Sequence, residues 1–209
     1  MDRGFLTILA AQFFSSLGDN ALLFAAIALL RSMQAPEWQV PVLQQFFVFA
    51  FIMLAPFVGA FSDALPKGRV MFISNATKTL GCFAMVIGVH PLIAYGLVGI
   101  GASIYSPAKY GILTEYLPAH RLVWANGWME GTTVSAIILG PVFGASVAAD
   151  NPFFGIAVIT GLYLLAAYFN YYIPKVPIDH AIPQRSLSFL IKDFWHAFIT
   201  LWKDAQGQV

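Results

Sequence analysis

The chain has 209 residues, 59% of them hydrophobic and 10% charged, whereas soluble domains carry about a quarter charged residues. Lys and Arg number 11 and Asp and Glu 10, a net charge of +1 that offers no basic field for nucleic acid and no acidic tail. A lone cysteine, Cys82, excludes a disulfide scaffold and a multi-thiolate metal site, and what remains is an all-α membrane protein.

Crossing a bilayer core takes about 20 apolar residues in helical form. Six stretches qualify in chain order: Phe5 to Leu30, Val42 to Ala64, Val70 to Val89, Leu92 to Leu117, Leu122 to Ala149 and Phe153 to Ile173. Their separators carry turn residues, as in Pro66-Lys67-Gly68-Arg69, His90-Pro91 and Asp150-Asn151-Pro152. The run from Phe5 is too long for a signal peptide and lacks a small-residue cleavage site, so the first helix is expected to be retained. Beyond it the chain divides into a helical bundle over 1–174 and a polar, proline-marked segment over 175–209. In that segment Leu187, Leu190, Ile191, Phe194, Phe198 and Leu201 recur at helical spacing. The pattern predicts an amphipathic linker helix on the cytoplasmic membrane surface, anchored by Trp195 and Trp202, with a soluble helix packed on another domain as the alternative.

Positive charge in short loops resists translocation. Arg3, Lys67, Arg69, Arg121, Lys175, Arg185, Lys192 and Lys203 fall on one side and Arg31 on the other, which predicts that both termini are cytoplasmic. Lys78 and Lys109 lie inside the spans, as do Asp19 and Glu130. A charge in hydrocarbon costs at least about 2.5 kcal/mol on insertion scales, so each needs a reason.

Asp19, beside Asn20, lies about 22 Å from the cytoplasmic end of the first span, and Lys109 about 26 Å from the outer end of the fourth. With a core about 30 Å thick, the two are separated by roughly 18 Å along the membrane normal. Asp19 and Asn20 either join helices by hydrogen bonds or form part of a site. Lys109 either snorkels to the interface or lines a cavity, the latter favoured by Pro107 and Gly111, which predict a distorted helix. Lys78 and Glu130 share a depth of about 14 Å, which permits a structural ion pair, while Asn126 and Glu130 occupy one helix face and fit a water-filled cavity as well. Glycines in the fourth and fifth spans need no role beyond close helix packing.

Enzyme chemistry finds little footing. The histidines, His90, His120, His180 and His196, form no metal-spaced pair in a span, and no Ser or Cys nucleophile has a base at matching depth. No metal or cofactor is expected, and transport is the stronger class.

Gly18-Asp19-Asn20-Ala21-Leu22-Leu23-Phe24 in the first span and Tyr105-Ser106-Pro107-Ala108-Lys109-Tyr110-Gly111 in the fourth resemble bacterial lysophospholipid transporters of the major facilitator superfamily. Ala55-Pro56-Phe57-Val58-Gly59 and Ala125-Asn126-Gly127 continue the likeness. The loop after the second span is similar to the superfamily's gating signature at Gly59, Asp63, Gly68 and Arg69, with a longer Asp63–Gly68 spacing and Ala64 where a basic residue is common.

The resemblance implies twelve spans in two halves, of which these residues supply the N-terminal six and the connector. A C-terminal six-helix half is then a missing partner. Nested three-helix repeats make the first and fourth spans equivalents. The implied activity is flipping of lysophospholipids such as lysophosphatidylethanolamine from the outer to the inner leaflet of the bacterial inner membrane. An acyl-ACP-dependent acyltransferase then restores the second chain. The implied substrate-binding set is Asp19, Asn20, Lys109, Tyr110, Asn126 and Glu130, with Asp19 attracting the headgroup ammonium and Lys109 its phosphate. The alternative is a proton-coupled exporter of a small amphipathic compound that uses Asp19 or Glu130 as its proton site.

Overall fold

The computed structural model describes residues 2–174 together with 195, 199 and 200. Six long helices follow one another: α1 (Arg3–Ser32), α2 (Gln39–Ala64), α3 (Lys67–Val86), α4 (Pro91–Tyr116), α5 (Leu122–Ala148) and α6 (Pro152–Tyr171). A single 3₁₀ turn, Ala119–Arg121, precedes α5. Of the amphipathic linker helix expected beyond Lys175, only Trp195, Ile199 and Thr200 fall among the described residues, and the rest lies outside them.

Local chemistry sets the helix ends. The Asp2 carboxylate accepts from the Phe5 amide at 2.8 Å, and Asn151 accepts from Phe153 and Phe154, which caps α1 and α6. Pro91 and Pro152 occupy first-turn positions, where the missing donor costs nothing. Just past α3, Gly88 takes a φ of +93°, a left-handed turn that glycine adopts without strain. Pro107 does not break α4, which continues through it to Tyr116.

Among the described residues, five helical stretches are long and apolar enough to cross a membrane: α1, α2, α4, α6 and α5 with its preceding 3₁₀ turn. The 20-residue α3 is not among them, since Lys67, Arg69 and Lys78 dilute its apolar character. The chain is thus a multi-pass helical membrane protein in which α3 owes its place to packing rather than to hydropathy.

α1 packs on α5 and α6, α4 packs on α2 and α3, and α3 also packs on α6. Exchanging α1–α2–α3 for α4–α5–α6 maps the first four of these contacts onto one another in pairs and α3–α6 onto itself, the signature of paired three-helix repeats. α1 and α5 touch backbone to backbone, because a side chain at Gly144 would overlap Ala21 and one at Gly140 would overlap Asn20.

The buried core falls into two apolar clusters with a polar layer between them. One, at the end that holds the α1 N-terminus and here called the basal end, contains Phe5, Ile8, Val70, Met71, Ile112 and Met129. The other, at the distal end, contains Leu22, Leu29, Leu43, Met85, Val98 and Ile159. Between them α1 contributes Gln12, Ser15 and Asp19, and α3 contributes Ser74, Asn75 and Lys78.

Candidate functional site

Buried polar groups persist in a low-dielectric interior only when they are paired. Lys78 is fully buried, with its ammonium 2.7 Å from Asp19 Oδ2 and 2.9 Å from the Ser15 hydroxyl. Ser15 donates onward to Asn75 Oδ1 at 2.8 Å, and the Tyr163 hydroxyl donates to Asp19 Oδ1 at 2.9 Å. The rings of Tyr105 and Tyr163 flank the ammonium at 4.9 and 5.5 Å, within reach of cation–π attraction. Gly101 leaves the slot for this lysine: a Cβ there would lie 2.7 Å from Lys78 Cγ and from the Ser74 carbonyl oxygen. Four helices, α1, α3, α4 and α6, therefore meet on one ion pair.

The expected Lys78–Glu130 pair does not form. Equal depth fixes height but not direction, and α3 packs on α4 and α6 whereas Glu130 stands on α5. Glu130 instead approaches Lys109 at 3.7 Å and accepts a hydrogen bond from the Tyr110 hydroxyl at 2.7 Å. The Lys109 ammonium also lies 4.6 Å from the Tyr110 ring.

Asp19, Asn20 and Lys109 line a single pocket of 310 Å³, with Gln12, Ser16 and Thr133 as further polar walls and Phe47, Phe51 and Tyr95 as apolar ones. Gln12 donates to both Ser16 and Thr133 at 2.9 Å, which ties α1 to α5 beneath the pocket. Its amide oxygen is buried without a hydrogen-bond partner. Asp19 keeps 22% side-chain exposure despite its two partners, so it presents a charged edge to this space.

The two charges are closer in height than a 30 Å slab implies. α1 and α4 span 30 and 26 residues, about 45 and 39 Å, and so project beyond the hydrocarbon core. With those lengths in place of the slab, Asp19 and Lys109 differ by about 6–12 Å along the axis. Tyr105, one turn before Lys109, already touches the Lys78 ammonium.

Asn20 donates to the Ser16 carbonyl within its own helix at 2.8 Å. Tyr110, Asn126 and Glu130 are exposed and stand outside the pocket lining, on the neighbouring surface of α4 and α5. At the basal end, Asp63 is held by Lys67 at 2.6 Å, and Lys67 also reaches the Ser62 carbonyl at 2.8 Å and Glu115 at 3.8 Å. Gly68 abuts Ile173, Gly59 faces open space, and Arg69 is exposed.

Sequence reasoning missed Ser15, Asn75, Tyr105, Tyr163 and Lys67 as members of charged networks. Spacing offered one clue: Ser15 and Asp19, like Asn75 and Lys78, are separated by one helical turn and share a face.

Six helices in two paired three-helix repeats form the bundle, and the Major Facilitator Superfamily pattern matches residues 8–207. The chain belongs to that superfamily. It is 46% identical over 206 residues to the lysophospholipid transporter LplT of Klebsiella pneumoniae, covering 98% of this chain and 51% of the relative. It is 42% identical over 206 residues to the LplT of Serratia proteamaculans (99% and 52%) and 44% identical over 204 residues to that of Salmonella arizonae (98% and 51%). The chain thus spans about half the length of the curated relatives it matches.

Proposed function

We propose that the chain forms the N-terminal half of a lysophospholipid transporter, with six crossings, both termini cytoplasmic, in a bacterial inner membrane. A second six-helix half completes the cavity, and lysophosphatidylethanolamine moves from the outer to the inner leaflet for reacylation by an acyl-ACP-dependent acyltransferase. The observation that carries this reading is the pocket that Asp19 and Lys109 line together, an acid and a base on equivalent helices of the two repeats. Likeness to proteins named lysophospholipid transporters supports the same substrate class.

The Lys78 ammonium changes the part Asp19 plays. A zwitterionic headgroup entering the pocket meets a carboxylate that is already half satisfied, and its ammonium shares Asp19 with Lys78 instead of neutralising a bare charge. Lys109, held loosely by Glu130, offers its ammonium to the phosphate. Tyr110, Asn126 and Glu130 form the approach to the pocket along α4 and α5. Gly59, Asp63, Gly68 and Arg69 act at the basal gate, with Lys67 as the counter-ion of Asp63.

Uptake of labelled lysophosphatidylethanolamine into spheroplasts, with this chain joined to a second six-helix half, tests the proposal. Asp19→Asn and Lys109→Gln are each expected to lower uptake about tenfold, the loss of one charge-assisted contact. Wild-type uptake by both variants at normal expression overturns the scheme. The buried Lys78–Asp19 pair also suits a proton-coupled exporter. Collapsing the pH gradient stops that activity and leaves facilitated lipid flipping largely intact.

A further inference from the structure

A second pocket, of 680 Å³, opens at the basal end between α3, α4 and α6, with no lining from α1, α2 or α5. Asn170 of α6 lines it at 3% exposure, and both its amide oxygen and its amide nitrogen are buried without a hydrogen-bond partner. An unmade bond at such an atom costs about 1–3 kcal/mol, so a partner from outside the protein is favoured. Arg69 of α3 lines the same space and makes no ion pair among the described residues, while its neighbour Lys67 is matched by Asp63 at 2.6 Å. Glu115 of α4 faces the pocket too, 33% exposed and held only by Lys67 at 3.8 Å.

The remaining wall is apolar and faces outward. Phe72 is 42% exposed and Tyr171 77%, as on a surface in contact with acyl chains. Tyr172 contacts Tyr168 and Tyr171 at ring separations of 4.9 and 5.5 Å beside the mouth, an aromatic girdle of the kind found at headgroup level. A cation without an ion pair among the described residues, one loosely held carboxylate, an amide with both functions unpartnered and an apolar lane toward lipid match a zwitterion on a diacyl tail. The volume lies within the range of small-ligand sites.

We propose that this pocket binds the headgroup of a resident diacyl phospholipid bearing a primary amine, drawn from the adjacent leaflet. Its phosphate engages Arg69 and the Asn170 amide, its ammonium engages Glu115, and its chains run along Phe72 and Tyr171. The site lies apart from the pocket of Asp19 and Lys109 but shares Gly68 and Arg69 with the proposed basal gate, so its test reads lipid binding and not transport.

The test is native mass spectrometry of the full chain released from nanodiscs of phosphatidylcholine containing phosphatidylethanolamine and phosphatidylglycerol as minor components. The wild-type chain is expected to retain phosphatidylethanolamine in preference to the other two. Arg69→Gln, an exposed position whose loss spares the fold, lowers retention about tenfold, one charge-assisted contact. Arg69→Lys keeps part of it, and Glu115→Gln abolishes the preference over phosphatidylglycerol. The proposal fails if Arg69→Gln retains as much phosphatidylethanolamine as wild type. It fails equally if phosphatidylcholine is held as well as phosphatidylethanolamine, or if inorganic phosphate displaces the lipid.

Discussion

Asp19→Asn and Lys78→Met probe the same ion pair from its two sides, and the structure makes their costs unequal. Removing the Asp19 carboxylate leaves a fully buried ammonium with the Ser15 hydroxyl at 2.9 Å and two ring faces. A buried charge deprived of its partner costs about 3–5 kcal/mol, and the amide oxygen that Asp19→Asn leaves can still accept from the ammonium and return about 1 kcal/mol, so a net loss of about 2–4 kcal/mol is expected. Lys78→Met instead leaves a carboxylate that is 22% exposed, keeps the Tyr163 donor at 2.9 Å and can draw water from the pocket it lines. Its cost is expected near 1–2 kcal/mol, the scale of one hydrogen bond to a charged group. The double variant removes both charges and is expected to fall within about 1 kcal/mol of Lys78→Met alone, since once the ammonium is gone the loss of the carboxylate leaves no buried charge unpaired. Unfolding in mixed micelles with rising dodecyl sulfate, followed by tryptophan fluorescence, gives the three values. A larger loss for Lys78→Met than for Asp19→Asn, or additive losses in the double variant, refutes the reasoning.

Lys109→Gln breaks a 3.7 Å contact with a half-exposed Glu130, so its stability in the same titration shifts by less than about 1 kcal/mol even where transport is lost. Gly101→Ala puts a methyl group 2.7 Å from Lys78 Cγ and from the Ser74 carbonyl oxygen, and the crowding is expected to cost about 1–3 kcal/mol. Gly161→Ala, where a Cβ meets nothing within 4 Å, is expected to stabilise α6 by about 0.4–1 kcal/mol in that assay, opposite in sign to Gly101→Ala. Lys67→Met strands the carboxylates of Asp63 and Glu115, but both reach water, so its loss is expected to be smaller than that of Asp19→Asn.

The helices were largely legible because the apolar runs and their Pro and Gly breaks mark ends directly: expected spans such as Leu122 to Ala149 and Val42 to Ala64 differ from α5 and α2 by a few residues. The intramembrane charges were legible one at a time for the same reason. Their pairing was not, because two acids and two bases can be joined in two ways, and depth alone favoured Lys78 with Glu130. The deciding quantity was azimuth, set by which helices touch, and that emerges only when α3 seats against α4 and α6. The estimated height difference between Asp19 and Lys109 failed for a related reason, since helix overhang beyond the bilayer leaves no trace in hydropathy. Lys67 was hidden differently: a loop lysine reads as a topology signal, and only the fold shows it 6% exposed between two acids.

On the six crossings proposed above, each three-helix unit makes an odd number of them, so a second unit in tandem with the first enters the membrane upside down. Asp19 lies 16 residues beyond Arg3 in α1, and Lys109 lies 18 residues beyond Pro91 in α4, nearly the same rank in helices that point opposite ways. A pair of identical units would present the same sign of charge at mirrored heights and treat a headgroup alike from either face. Here the charge that lines the pocket is an acid on α1 and a base on α4, which on the proposed function gives the pocket a polarity along the membrane normal. Reversing that sign pattern, Asp19→Lys with Lys109→Asp, turns the favoured orientation of a zwitterion within the pocket end over end.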